Sequence, residues 1–88
     1  MKIEFKKYFI KEVDKIKEAK LREEIKQVIQ DVKQAGRISE LNNTKKLKGH
    51  KHAYRIKTGN YRIGVLFQDS VITFVAFEHR KDFYKHFP

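Results

Sequence analysis

The chain has 88 residues, of which 40% are hydrophobic and 36% charged, and a chain of this length predicts one domain spanning residues 1–88. Its 21 Lys and Arg against 11 Asp and Glu give a formal net charge of +10, and it contains no cysteine. The lack of cysteine excludes a disulfide-stapled scaffold and a thiolate metal site, and no apolar run is long enough for a membrane-spanning helix. We therefore expect a cytoplasmic domain.

The first part of the chain predicts one short strand and then helices. Ile3 and Phe5 alternate with polar residues, as in a half-buried strand. Apolar residues then recur at helical spacing in two series, which predict two antiparallel helices or one helix broken near Ala19. Gly36 follows the second series and suits a helix end. The two series are Phe9, Val13 and Ile16, and then Leu21, Ile25, Val28, Ile29 and Val32.

The second half is typical of antiparallel strands. Residues 37–50 are polar with little periodicity and are predicted to form a loop. Three segments rich in β-branched and aromatic residues follow, at 53–57, 60–68 and 71–79, and two-residue turns are predicted at 58–59 and 69–70. Residues 81–88 allow only a terminal helical turn. The order β-α-α-β-β-β with a short C-terminal tail predicts an α+β fold, in which two N-terminal antiparallel helices pack on one face of a mainly antiparallel sheet.

The strand register predicts a site on the uncovered face of the sheet. A turn at 58–59 places Arg55 directly opposite Arg62, with Lys57, His79 and the ring of Phe77 on the same face. Like charges opposite each other destabilise a strand pair, and a bound anion removes that penalty because guanidinium groups bind phosphate in a bidentate manner. We therefore expect an anion site here. The alternative is that both arginines extend into water or pair with Glu78, Asp82 or Glu40.

Basic residues also dominate the segment that surrounds these strands. From Thr44 to Arg62 there are seven Lys or Arg and no acidic residue. This surplus favours nucleic acid over a membrane surface or an acidic protein as the partner. With no cysteine and few carboxylates nearby, we expect no metal site. His50, His52 and His86 are interpreted as solvated loop residues, whereas His79 is placed beside the cations, where an imidazole could transfer a proton.

Two motifs in the second half resemble the RelE/ParE family of toxin–antitoxin toxins. One runs from Leu47-Lys48-Gly49 through Ala53-Tyr54-Arg55-Ile56-Lys57 to Gly59-Asn60-Tyr61-Arg62-Ile63, and the other is the ending Phe77-Glu78-His79-Arg80-Lys81-Asp82-Phe83-Tyr84. The resemblance covers the whole chain and implies the same fold, with two N-terminal helices on an antiparallel sheet.

The RelE branch of the family implies an endoribonuclease that cuts mRNA in the ribosomal decoding site without a metal or other cofactor. The RNA 2′-hydroxyl attacks the adjacent phosphorus and leaves a cyclic phosphate and a 5′-hydroxyl. The family's basic strand residues correspond to Arg55 and Lys57, its phosphate-binding arginine to Arg62, and its terminal tyrosine to Tyr84. A further tail cation corresponds to Arg80, with His79 as the alternative and as a candidate acid or base.

The resemblance also implies partners and leaves two rival functions open. Lys45, Lys46, Lys48 and Lys51 are expected to contact ribosomal RNA, and a cognate antitoxin is expected to wrap the toxin with an extended acidic segment that contacts apolar grooves beside the second helix. One rival is a ParE-like poison of DNA gyrase without nuclease activity. The other is a nucleic-acid-binding module without catalysis.

Overall fold

A single five-stranded sheet, with helices on both of its faces, organises the molecule. The structure is a computed structural model that describes residues 1–88. The strand order is β1-β5-β4-β3-β2, with β1 parallel to β5 and every other pair antiparallel. The elements are β1 (Lys2–Phe5), α1 (Lys7–Asp14), α2 (Ala19–Gln34), β2 (Thr44–Lys46), β3 (Ala53–Thr58), β4 (Tyr61–Gln68), β5 (Val71–His79) and α3 (Phe83–His86).

The two predicted N-terminal helices are confirmed as separate helices. The link between them, residues 15–18, is closed by the Arg22 guanidinium, whose Nη1 donates to the carbonyl of Ile16 over 2.9 Å. Phe9 from α1 and the α2 stripe of Leu21, Ile25 and Val32 are buried against the sheet. Burial of these side chains is the main force that holds helices of this length in place. None of the three helices combines the length and apolarity needed to cross a membrane.

The sheet has one strand more than the sequence predicts. Residues 44–46 were expected to lie in a loop, but they form the edge strand β2, which pairs with β3. A three-residue strand made of Thr and two Lys is too short for alternation to be visible in the sequence, so only its pairing with β3 reveals it.

The first hairpin turn lies one residue later than predicted. Gly59 and Asn60 form it, because Gly59 takes a positive φ of 58° and Thr58 stays in the strand, buried opposite Tyr61. The prediction that Arg55 faces Arg62 is therefore wrong. The second turn, at 69–70, is confirmed, and both of its residues have positive φ, as a type I′ turn requires.

A β-bulge at Val75 reverses the faces of the last strand. Val65 pairs with Phe74 and Gly64 with Ala76, which leaves Val75 without a partner. Beyond the bulge, Phe77 therefore points to the helix side, where it is 4% exposed and belongs to the main core. The prediction that Phe77 and His79 share a face with the cations is wrong for this reason, since a shift of one residue turns every later side chain over.

A second, smaller core covers part of the face that the sequence analysis left open. Phe83 and Phe87 of the C-terminal tail are buried with Ala53 and Ala76 on the side of the sheet away from α1 and α2. The ring of Phe87 lies on Gly64, where an added Cβ would come within 2.7 Å of its Cγ. The expectation of a fully uncovered face is therefore wrong, because the small residues Ala53, Gly64 and Ala76 leave room on this face for the aromatic rings of the tail.

Candidate active site

Cations form two adjacent rows on the tail-bearing face of the sheet. Lys57 on β3 lies directly opposite Arg62 on β4, and two residues along the strand Arg55 lies directly opposite Lys45 on β2. Alternation along β3 puts Arg55 and Lys57 on the same face, so all four side chains share it. The predicted arginine pair is thus replaced by two pairs of like charges, one on each side of β3.

Backbone carbonyls, rather than carboxylates, hold the two guanidinium groups. Nη1 of Arg62 donates to the carbonyls of Gly59 and Tyr61 over 3.0 and 2.9 Å, and Nη1 of Arg55 lies 3.5 Å from the carbonyl of Asn43. The ion pairs of the molecule involve Lys15, Lys85 and His86 and no member of these two rows. Glu78 on β5 lies directly opposite Arg62, but it forms no ion pair with it. The two like-charge pairs therefore favour an anion between them.

The C-terminal tail carries two of the other predicted site residues. Arg80 is exposed in the turn after β5, where its N–H donates to the carbonyl of Asn60 beside the β3–β4 turn. Tyr84 is 62% exposed, and its ring meets the ring of Phe83 edge to face at 5.0 Å. The buried Phe83 thus presents the Tyr84 ring to solvent, available to stack on a base.

His79 lies on the opposite side of the sheet from the cation rows. Its ring packs edge to face on Tyr61 at 5.3 Å, and Tyr61 stacks in turn on Phe77 of the main core. The Nδ1 atom accepts a hydrogen bond from the N–H of Lys81 at 3.2 Å. The predicted neighbourhood of His79 and the cations is therefore wrong, because the bulge at Val75 reverses its face.

The structure brings a different imidazole to the strand residue that lies opposite Arg62. His86, interpreted from the sequence as a solvated loop residue, contacts Glu78, with 3.3 Å between Nδ1 and Oε2. Glu78 lies directly opposite Arg62, and its other oxygen accepts a hydrogen bond from the Tyr8 hydroxyl. This bond is the largest cause that raises the pKa of Tyr8 to about 12. A register that included the bulge would have placed Glu78 beside Arg62, but no sequence signal links either residue to His86.

The four lysines predicted to bind RNA divide into two groups. Lys45 belongs to the cation rows, whereas Lys46 faces the helix side because it pairs with Tyr54, whose ring packs against the main core. Lys48 and Lys51 lie in the β2–β3 hairpin loop, at the end of the sheet away from the Gly59 turn. No group of three or more His, Asp or Glu side chains is arranged to hold a metal ion.

Comparison with known proteins identifies the family. No family model matches the chain. The toxin RelE3 of Methanocaldococcus jannaschii is 36% identical to it over 89 residues, and the alignment covers 100% of both chains. The chain belongs to the RelE toxin family.

Solved structures of RelE proteins share the fold of this RelE-family chain. The RelB–RelE antitoxin–toxin complex from Methanococcus jannaschii matches with a TM-score of 0.81 and 33% identity, covering 97% of this chain and 99% of that one. The intact E. coli RelBE toxin–antitoxin complex matches with a TM-score of 0.69 and 26% identity, covering 89% and 94%. The RelE fold thus extends over almost the whole chain, including both cation rows.

Proposed function

We propose that this RelE-family toxin is an endoribonuclease that cleaves mRNA at the ribosome, and that its cation rows bind the scissile phosphate. The observation that carries the proposal is the two like-charge cross-strand pairs, Lys57 opposite Arg62 and Lys45 opposite Arg55, none of whose members forms an ion pair with a carboxylate. Cations placed opposite each other at a cost in stability are suited to a ligand with several anionic oxygens.

The chemistry that suits these groups is attack by the RNA 2′-hydroxyl on the neighbouring phosphorus. Negative charge builds on the phosphoryl oxygens in the transition state, and fixed cations stabilise it most where water is excluded. Arg55 and Arg62 would contact those oxygens, with Lys57 beside them. Arginine stays protonated in proteins, so charge stabilisation rather than proton transfer is the role of both guanidinium groups.

The tail residues would hold the RNA on either side of that phosphate. The exposed ring of Tyr84 offers a stacking surface for a base, which is worth about 1–3 kcal/mol per base in complexes with single strands. Arg80, beside the β3–β4 turn, would contact a further phosphate. Both side chains are presented by the segment that the Phe83 and Phe87 rings anchor to the sheet.

We further propose a cognate antitoxin as the protein partner, as in the RelB complexes of the related toxins. A groove between α2 and the β2 edge of the sheet is lined by the apolar Val28, Val32, Leu41 and Ile56 and by polar residues that include Asp31 and Lys57. An extended acidic segment with apolar side chains would fit a groove of this composition and would reach the cations from it.

Replacement of Arg62 tests the nuclease proposal. Arg62→Ala should lower the rate of mRNA cleavage on translating ribosomes by about 100-fold or more, the usual loss when a group that binds the developing charge is removed. Lys26→Ala, which removes one exposed charge from the solvent side of α2, should cleave at the wild-type rate. The measurement is mapping of mRNA 5′ ends over time.

Two other outcomes would support the rival functions. Intact mRNA together with trapped gyrase on supercoiled DNA would indicate a ParE-like poison. Binding of RNA that stays intact, with affinity rather than rate lost in Arg62→Ala, would indicate a binding module without catalysis.

A further inference from the structure

One imidazole, from the C-terminal tail, contacts the carboxylate that lies opposite a member of the cation rows. His86 contacts Glu78, and Glu78 lies directly opposite Arg62. His79 packs on the helix side of the sheet, and the other two histidines lie in the β2–β3 loop. We infer that His86 is the general base that takes the proton of the RNA 2′-hydroxyl, and that Glu78 is its positioning residue; this inference rests on the proposed function.

Glu78 is fixed from two directions. Its Oε1 accepts a hydrogen bond from the Tyr8 hydroxyl of α1, and its Oε2 faces Nδ1 of His86 at 3.3 Å. The Glu78 side chain is only 12% exposed, whereas that of His86 is 54% exposed. The helix layer therefore sets the position of the carboxylate, and the carboxylate holds one edge of an imidazole whose other edge is open to a substrate.

The contact with Glu78 also selects the tautomer of His86. A carboxylate can only accept hydrogen bonds, so Nδ1 carries the proton in this contact. Nε2 of the neutral ring then bears the free lone pair, and imidazole exchanges a proton in the neutral pH range. A carboxylate that holds the far nitrogen also stabilises the imidazolium formed after proton transfer. Of the charged or titratable groups in this region, Glu78 contacts the ring, Arg62 lies opposite Glu78 and Tyr8 donates to it, and Asp82 and Lys85 form an ion pair in the same tail segment.

The step assigned to His86 balances without any further reactant except water. Nε2 takes the proton of the 2′-hydroxyl while the 2′-oxygen forms a bond to phosphorus. The bond from phosphorus to the 5′-oxygen breaks, and that oxygen takes a proton from water. The products are a 2′,3′-cyclic phosphate and a 5′-hydroxyl, and the imidazolium returns its proton to solvent.

Single-turnover cleavage on programmed ribosomes with saturating toxin tests the assignment. In the wild type, the rate should rise with pH, because a general base acts in its neutral form. His86→Gln should lose about 100-fold or more in rate and should no longer respond to pH. His50→Gln, an exposed histidine in the β2–β3 loop, is the matched control and should behave as the wild type at every pH.

The role of Glu78 requires a readout that a purely structural contact would not change. Glu78→Gln should lower kcat by about 10-fold and leave KM for programmed ribosomes unchanged, while the rise of rate with pH is retained because the imidazole is still present. Added imidazole should restore cleavage to His86→Ala, which keeps Glu78, and should not raise the rate of Glu78→Gln. Thermal melting should show that all variants remain folded.

The outcomes separate this inference from the proposed function. A wild-type protein that leaves ribosomal mRNA intact contradicts the proposed function itself. If Arg62→Ala is inactive but the His86 variants cleave at the wild-type rate, the nuclease stands and the inference is overturned. It is also overturned if His79→Gln, rather than His86→Gln, abolishes the pH response. The inference is also overturned if His86→Ala unfolds and added imidazole does not restore cleavage, because His86 would then only hold the tail in place.

Discussion

Gly64 shows how one residue without a side chain shapes the cation face. It lies on β4 between Arg55 on one neighbouring strand and Ala76 on the other, and the ring of Phe87 rests on its backbone. Any larger residue would lift the ring, and with it the tail that carries Tyr84. The Phe87 ring therefore lies in line with the row that contains Lys45 and Arg55, as a consequence of a missing Cβ.

Gly64→Ala should lower the free energy of unfolding by about 1–3 kcal/mol, because the new Cβ would come within 2.7 Å of Phe87. Urea denaturation measures the change. Most of the cost should disappear when the same substitution is made in a Phe87→Ala background, since the opposing ring is then absent. An equal cost in both backgrounds would show that the strain arises elsewhere.

At the scale of the elements, Glu78 connects the helix layer to the last strand and the tail. The hydrogen bond from Tyr8 of α1 crosses the free edge of β5, beyond the point where β1 pairing ends at Phe74. That bond, with smaller contributions from desolvation and from the charges of Glu78 and Glu12, raises the pKa of Tyr8 from 10.0 to about 12. The pKa of a single tyrosine thus reports whether α1 is docked on β5.

Because the pKa of Tyr8 is higher in the folded state than in the unfolded one, its contribution to stability is complete below pH 10 and is lost as the pH rises towards 12. Replacing Glu78 by Gln should return the pKa of Tyr8 towards 10.0 and remove this loss. Titration of the tyrosine absorbance, with Tyr8→Phe to identify the signal, measures the shift. A late-titrating tyrosine that persists in Glu78→Gln would contradict the role of this bond.

Over the whole molecule, the basic residues of segment 44–62 extend from one end of the sheet to the other. The Lys57–Arg62 row lies near the Gly59 turn, whereas Lys48 and Lys51 lie in the loop that precedes Ala53, which is about 13 Å from Lys57 along β3 at 3.3 Å per residue. The end with the cation rows suits the scissile phosphate, and the loop end suits phosphates farther along a large RNA surface.

Binding to ribosomes should therefore weaken steeply with salt. Replacement of Lys48 or Lys51 by Ala should each reduce the slope of log affinity against log salt concentration by about 0.7–0.9, the value for one phosphate contact. Filter binding across a salt series measures the slope, with Lys26→Ala as the control of equal charge change. If Lys48→Ala and Lys26→Ala give the same slope as the wild type, the loop does not contact phosphates.

Local sequence patterns were sufficient for most of the architecture. Helical spacing defined α1 and α2, the residues at 69–70 defined a turn, and β-branched segments defined three strands, because each signal lies within a few neighbouring residues. The composition of 44–62 was also enough to indicate a cationic site with Arg55, Lys57 and Arg62. These properties follow from periodicity and charge, which the chain carries without its fold.

What the tertiary structure decided was which side chains meet. The later position of the first turn moved the β3–β4 pairing by two residues, which paired Lys57 with Arg62, and the unpaired Val75 moved the β4–β5 pairing by one, which sent His79 to the helix side. The Phe83 and Phe87 rings then brought His86 to Glu78. Bulges, turn positions and tail docking depend on packing between residues far apart in the chain, so no local pattern encodes them.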